Sequence, residues 1–184
     1  MKIYLLRHGK VNIVNGDFFR SHLSLEGEVE VIKLMNSGVF DKPNIMFCSN
    51  FNRAVDTAKF FAENFELPLF IEKNVSEWKL QSLNHPNFPE EERKGWEDKS
   101  LVVPGGESIN YVQERCVNFI KSISKEDYEN ILIVTHGVTA ELICSYFTKR
   151  ESSLETLRLS KHLDHAILEV DDGDIKVIKD IISS

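Results

Sequence analysis

Ile131-Leu132-Ile133-Val134-Thr135-His136-Gly137 is the stretch on which the fold of this chain turns. The run from Ile131 to Thr135 has no polar alternation, the pattern of a strand covered on both faces in a parallel sheet. It stops abruptly at a histidine and a glycine, and Gly137 to Phe147 then reads as a helix. Strand, sharp turn and helix in that order belong to an α/β fold.

Working outward, Lys2–Leu6 and Ile45–Cys48 are further apolar runs that read as buried strands. Helical spacings lie between them. Ser24 is placed to cap a helix carrying Leu25, Val29, Ile32 and Met35 on one face, with Gly38 as its stop. Residues 52–64 hold Ala54, Ala58 and Phe61 at helical spacing, and Ser108 precedes Ile109, Val112, Cys116, Phe119 and Ile123. Near the end, Ala166–Val170 and Ile175–Ile182 flank Asp171-Asp172-Gly173-Asp174, a hairpin turn signal. The expectation is an α/β fold with a mainly parallel central sheet and an antiparallel member.

The 184 residues fit a single domain, 1–184. Hydrophobic residues at 42% and charged residues at 28% argue against disorder. Lys and Arg number 22 against 29 Asp and Glu, a net charge of -7, which disfavours nucleic acid or an anionic membrane surface as partner. The apolar start, Met1 to Leu6, is broken by Arg7-His8, too early for a signal peptide or a membrane span. Cys48, Cys116 and Cys144 have no CxxC spacing, so they predict buried reduced thiols in a cytoplasmic protein rather than a disulfide framework or a zinc site. From Gln81 to Gly106 the chain carries Pro86, Pro89, Pro104 and Gly95 and fits no strand or helix repeat, apart from one short helix near Glu90–Trp96. A cover segment over about residues 78–106 and a solvated excursion are both open readings of it.

The strand ends carry the chemistry. The first strand runs into Arg7-His8-Gly9, the second into Cys48-Ser49-Asn50 with Arg53 just beyond, the third into Thr135-His136-Gly137. In an open α/β sheet, ligands gather beyond the carboxyl ends of the strands. Two guanidiniums and an imidazole at one edge match a tetrahedral dianion such as phosphate, because the planar fork of arginine fits its oxygens. No glycine-rich phosphate loop is present, which disfavours nucleotide binding of the P-loop or Rossmann kind. A neutral histidine beside arginines keeps its lone pair and is a competent nucleophile.

Four blocks in order, Leu6-Arg7-His8-Gly9, Ser49-Asn50 with Arg53-Ala54 and Thr57-Ala58, Pro104-Gly105-Gly106-Glu107-Ser108, and Val134-Thr135-His136-Gly137, together resemble the histidine phosphatase superfamily. The resemblance implies a phosphoglycerate mutase-like, three-layer α/β/α fold. It implies His8 as the phosphorylated nucleophile, with Arg7, Arg53 and His136 forming the phosphate pocket. Asn12 falls where a phosphate-contacting Asn often stands, and Glu77 aligns with the general acid. No metal or organic cofactor is implied, and the partner is a small phosphorylated substrate.

The chain departs from the family pattern at Lys10 and Val11, where an acidic residue and a hydroxyl usually follow, and at Lys79-Leu80-Gln81-Ser82 after the acid. Glu107 and Glu72 are therefore alternative acids, and Lys10, Arg20 and His22 are candidates to extend the basic pocket. The favoured function is a metal-independent phosphatase acting on a phosphomonoester through phospho-His8. A mutase-type phosphotransferase, a phosphohistidine-protein phosphatase and a non-catalytic phosphate-binding module are the alternatives.

Overall fold

In the computed structural model, which describes residues 1–12, 20–80, 88–102 and 105–182, alternate residues of the same strands feed two different cores. Strand β1 (Lys2–Arg7) sends Ile3 and Leu5 to one face and Tyr4 and Leu6 to the other. This is why the strands read as unbroken apolar runs: successive side chains point to opposite faces, and helices cover both.

In chain order β1 is followed by the short pair β2 (Val11–Asn12) and β3 (His22–Leu23), then α1 (Leu25–Met35), β4 (Ile45–Cys48), α2 (Asn52–Phe65) and β5 (Leu69–Ile71). A 3-10 turn at Lys73–Val75 leads toward α3 (Phe88–Glu97), and α4 (Ile109–Ile123), β6 (Asn130–Thr135), α5 (Gly137–Thr148), α6 (Leu154–Leu159), β7 (His165–Asp171) and β8 (Asp174–Lys179) complete it. The main sheet has the order β5-β4-β6-β1-β7-β8. The first four strands are parallel, β7 is antiparallel to β1, and the terminal hairpin pairs β8 with β7. β2 and β3 form a separate small antiparallel sheet.

Register decides what meets at the sheet edge. Arg7 lies opposite Thr135, and Cys48 opposite Val134, so the residues after β1, β4 and β6 emerge side by side. The bond from His8 N to Thr135 O at 3.0 Å and that from Ser49 N to Val134 O at 3.0 Å carry the alignment past the strand ends.

The helices follow their caps. Ser24 accepts from Gly27 N, Ser108 from Tyr111 N, and Ser153 forms a reciprocal capping box with Thr156. The apolar face of α4 is buried as its spacing predicts. α1 corrects the sequence reading. Leu25, Val29 and Ile32 are exposed by 81%, 51% and 40%, while Gly27 and Val31 are the buried positions. The reason is a close backbone approach: a Cβ at Gly27 would collide with the carbonyl oxygen of Lys10. The contact face is defined by a missing side chain, which a hydrophobic stripe cannot report.

All three cysteines are buried and free, and burial pushes the thiols of Cys48 and Cys116 up to about 12. Glu141 on α5 is fully buried and is met by the forked guanidinium of Arg150, which also holds Asp180 after β8. Among the described residues no helix is long and apolar enough to cross a membrane. Within the 78–106 segment, Trp78 and Trp96 are buried in the α4–α5 core with ring centroids 6.3 Å apart, and Gly95 lies against the Trp78 ring. Residues 81–87, 103 and 104 of that segment lie outside the described residues.

Candidate active site

His8 follows β1 at the middle of the sheet and is almost wholly buried. Its Nδ1 lies 2.8 Å from Gly9 O, which only accepts, so the ring proton sits on Nδ1. Nε2 is left with a lone pair, and Arg53 Nε donates to it at 2.9 Å. Burial, and next the charge of Arg53, hold His8 well below the usual histidine range. The imidazole is thus neutral with a single free electron pair at a known atom.

Arg53 is presented by the first turn of α2, the helix that follows β4. It is 1% exposed and packs over the Phe51 ring, 4.9 Å from its centroid. One turn on, Thr57 accepts from Gly9 N at 3.0 Å and gives its own proton to Arg53 O at 2.7 Å. That hydroxyl therefore ties the backbone after the nucleophile to the helix that carries the arginine.

His136 directly follows β6 and caps α5, with its ring centroid 5.1 Å from that of His8. Its Nε2 is 2.7 Å from Ser49 Oγ, which also accepts from Phe51 N. Its Nδ1 has no partner, although buried, and the same is true of Arg7 Nε. Arg7 Nη1 is held at 2.6 Å by Ser160 O, fixing the guanidinium in place. Gly137 permits this, since a Cβ there would press on the Arg7 guanidinium carbon. Buried polar atoms are seldom left without partners, and a guanidinium Nε only donates, so Arg7 Nε marks a place for an acceptor.

Glu77 follows the 3-10 turn and reaches the start of α5, where Val138 N lies 3.4 Å from Oε2 and Trp78 N donates to Oε1 at 3.0 Å. Its charge acts on both Arg7 and Arg53, which places it beside the cationic pair. Arg115 of α4 holds its backbone, donating to Asn74 O at 2.7 Å, Ser76 O at 2.8 Å and Glu77 O at 3.3 Å. Thr139 adds a bond to Ser76 O at 2.8 Å.

Arg7, His8, Arg53, His136 and Glu77 are therefore brought together. Asn12 is exposed on β2, opposite His22, and makes no hydrogen bond to any of them among the described residues. Of the alternative acids, Glu107 is engaged by Arg115 Nε at 3.1 Å, and Glu72 accepts from Asn74 N as an exposed cap. His22 pairs with Asp56 at 2.7 Å on the surface.

His162 is the member that sequence reading missed. Its ring centroid is 5.5 Å from that of His8, on the turn before β7. Burial, and then the charges of Arg7, Lys10 and Arg53, lower its pKa to about 4. No apolar run or motif surrounds it, and its nearness to His8 comes only from the β1–β7 pairing. On α3, burial raises the pKa of Glu92, with smaller influences from the charges of Arg158 and Glu77. Among the described residues no group of three or more His, Cys, Asp or Glu could hold a metal ion.

The sequence model described as "Histidine phosphatase superfamily (branch 1)" matches residues 3–180. No curated protein matches the sequence. Among solved structures, YhfR of Bacillus stearothermophilus is 23% identical with a TM-score of 0.79, covering 100% of this chain and 98% of that one. A mycobacterial glucosyl-3-phosphoglycerate phosphatase with inorganic phosphate is 19% identical with a TM-score of 0.79, over 100% and 97% of the two chains. The alpha-ribazole phosphatase of Shigella flexneri is 21% identical with a TM-score of 0.72, over 98% and 96%. At these identities the likeness is one of fold.

Proposed function

This chain belongs to the histidine phosphatase superfamily, whose membership supports phosphatase activity, and from that premise we propose that it hydrolyses a small phosphomonoester, without a metal, through a phosphohistidine on His8. The observation that carries the reading is the electron pair of His8 Nε2, which accepts from Arg53 Nε in a site where Arg7 Nε and His136 Nδ1 are buried without partners.

In the first step the Nε2 pair forms a bond to phosphorus as the ester P–O bond breaks. The released electron pair stays on the leaving oxygen, which takes a proton from Glu77 and departs as an alcohol. Arg7 and Arg53 stabilise charge spread over the phosphoryl oxygens. Arg53 turns its Nε–H from the His8 lone pair to an incoming oxygen. His136 Nε2 and Ser49 Oγ share a hydrogen bond of 2.7 Å, and with the serine as its donor the imidazole proton lies on Nδ1, which then donates to the phosphoryl group. In the second step water attacks phosphorus, Glu77 takes its proton, and the P–N bond breaks with its pair returning to Nε2.

Two of the structurally similar proteins are named glucosyl-3-phosphoglycerate phosphatase and alpha-ribazole phosphatase, so glucosyl-3-phosphoglycerate and alpha-ribazole phosphate head the substrate panel. The test is phosphate release from that panel and from an aryl phosphate in chelator. Wild type is expected to release phosphate and to yield an acid-labile, base-stable phosphoprotein on quenching, with both lost in His8→Ala. Release that persists in His8→Ala overturns the mechanism. Isomerised product without release identifies a mutase instead.

A further inference from the structure

A groove of about 620 Å³ lies between three elements, α1, the segment after His8 and the turn before β7, and His162, a ring neighbour of His8, is part of its lining. Lys10, Lys33, Lys161 and His162 line it against a single carboxylate, Glu30. In a chain with a net charge of -7, this is a local inversion of sign. His162 links its lining to the nucleophile, with its ring centroid 5.5 Å from that of His8. Resting on the phosphatase reading, we infer that the substrate carries a second anionic group, a carboxylate or another phosphate, which this groove holds while His8 receives the phosphoryl group.

The cations are not equivalent. Lys10 is already paired with Glu26 at 2.5 Å. The ammonium groups of Lys33 and Lys161 make no ion pair or hydrogen bond among the described residues. Those two therefore have charge to give to a ligand, and Lys10 adds to the field around it.

The turn that presents Lys161 and His162 is built to stay put. Leu163 has a φ of 64°, the left-handed region that a side chain with a Cβ rarely adopts. Lys161 N donates to Asp164 Oδ2 at 2.5 Å, and Asp164 N to Lys161 O at 3.2 Å, closing the turn on itself. Asp164 O in turn accepts from Arg7 N at 2.9 Å, fastening the turn to the strand that carries the nucleophile. Unfavourable backbone conformations persist where the surroundings over-determine them, and they concentrate at ligand clamps. Here the result is that the backbone carrying Lys161 and His162 is fixed beside the strand that leads to His8. Burial first, and then the charges of Arg7, Lys10 and Arg53, lower the pKa of His162 to about 4.

The probes are alkyl phosphates, ω-carboxyalkyl phosphates and alkane-diyl bisphosphates of graded chain length, with wild type and Lys33→Ala/Lys161→Ala. Affinity is read by calorimetry and turnover by phosphate release. At one favoured chain length the second anion is expected to lower Kd and KM roughly tenfold in wild type, as charge-assisted contacts do. In the double variant that advantage is expected to vanish while the plain alkyl phosphate is unaffected. The carboxylate and bisphosphate arms tell which anion is held. No advantage at any length, or an advantage that survives the double substitution, overturns the inference. An advantage in binding with no turnover of any probe upholds the groove and overturns the phosphatase reading.

Discussion

Arg53 Nε donates a hydrogen bond of 2.9 Å to His8 Nε2, the one atom of that imidazole with an electron pair to give. The arginine thus occupies the bonding position of the incoming phosphorus in the resting site. It also acts at a distance, because its charge is the second cause, after burial, of the lowered pKa of His8. One side chain holds the nucleophile in its tautomer, keeps it neutral and is already beside the oxygens it would stabilise.

Substituting Arg53→Gln separates these roles from simple packing. Loss of one preorganised donor to a developing oxyanion costs about 10²–10³ in rate, so kcat/KM is expected to fall by that order on any ester. His8 in the variant should also titrate at higher pH than in wild type, read by NMR of the ring protons, because a positive neighbour is gone. An unchanged His8 titration in a folded variant would remove Arg53 from the account of its neutrality.

Glu77 is tested by the leaving group. An alkoxide must be protonated as it departs, whereas a nitrophenolate leaves readily without help. Glu77→Gln is expected to slow an alkyl phosphate about 10²–10⁴-fold and a nitrophenyl phosphate far less. Equal slowing of both would assign Glu77 to the architecture of the α5 start, where it accepts from Val138 N.

Much of this was legible from the chain alone, and the reasons divide cleanly. The strand runs and the α4 stripe were readable because burial on both faces or on one stripe writes itself into every residue of the element. Arg7, His8, Arg53 and His136 were readable because each ends, directly follows or closely trails a strand, and parallel register brings strand ends together. Arg115 was not. It sits in the middle of α4 and matters through three carbonyls near Glu77, a relation that no spacing encodes. His162 was hidden for the same reason, since its position is set by an antiparallel pairing with β1. β5 is three residues long and half exposed, too short for a pattern.

α1 supplies a stability prediction from the one reading that went to the wrong face. Gly27 packs its backbone on Lys10, so Gly27→Ala must push the helix away from the strand end that carries His8. Overpacking of this kind costs about 1–3 kcal/mol. Denaturant unfolding should show that loss, whereas Leu25→Ala, at an exposed position of the same helix, should change stability by about 0.5 kcal/mol or less. A neutral Gly27→Ala would mean that α1 yields freely, and the Lys10 contact would lose its meaning.

The buried imidazoles also set how stability answers to acid. His8 and His136 are both held well below the ordinary histidine range, by burial first and then by Arg53. In the unfolded chain each titrates near about 6.5. Between that value and the depressed native one, the unfolded state binds more protons than the native state, so stability rises with pH and falls as pH drops below about 6.5. Each imidazole contributes up to about 1.4 kcal/mol per pH unit in that window. His162 and His165 are shifted in the same direction and add to the trend from more exposed positions. Urea midpoints measured from about pH 7 down to about pH 5 should therefore fall steadily in wild type. They should fall less steeply in His8→Asn and in His136→Asn, each of which removes one titrating ring. An acid slope identical in all three proteins would show that neither imidazole is held neutral by the fold.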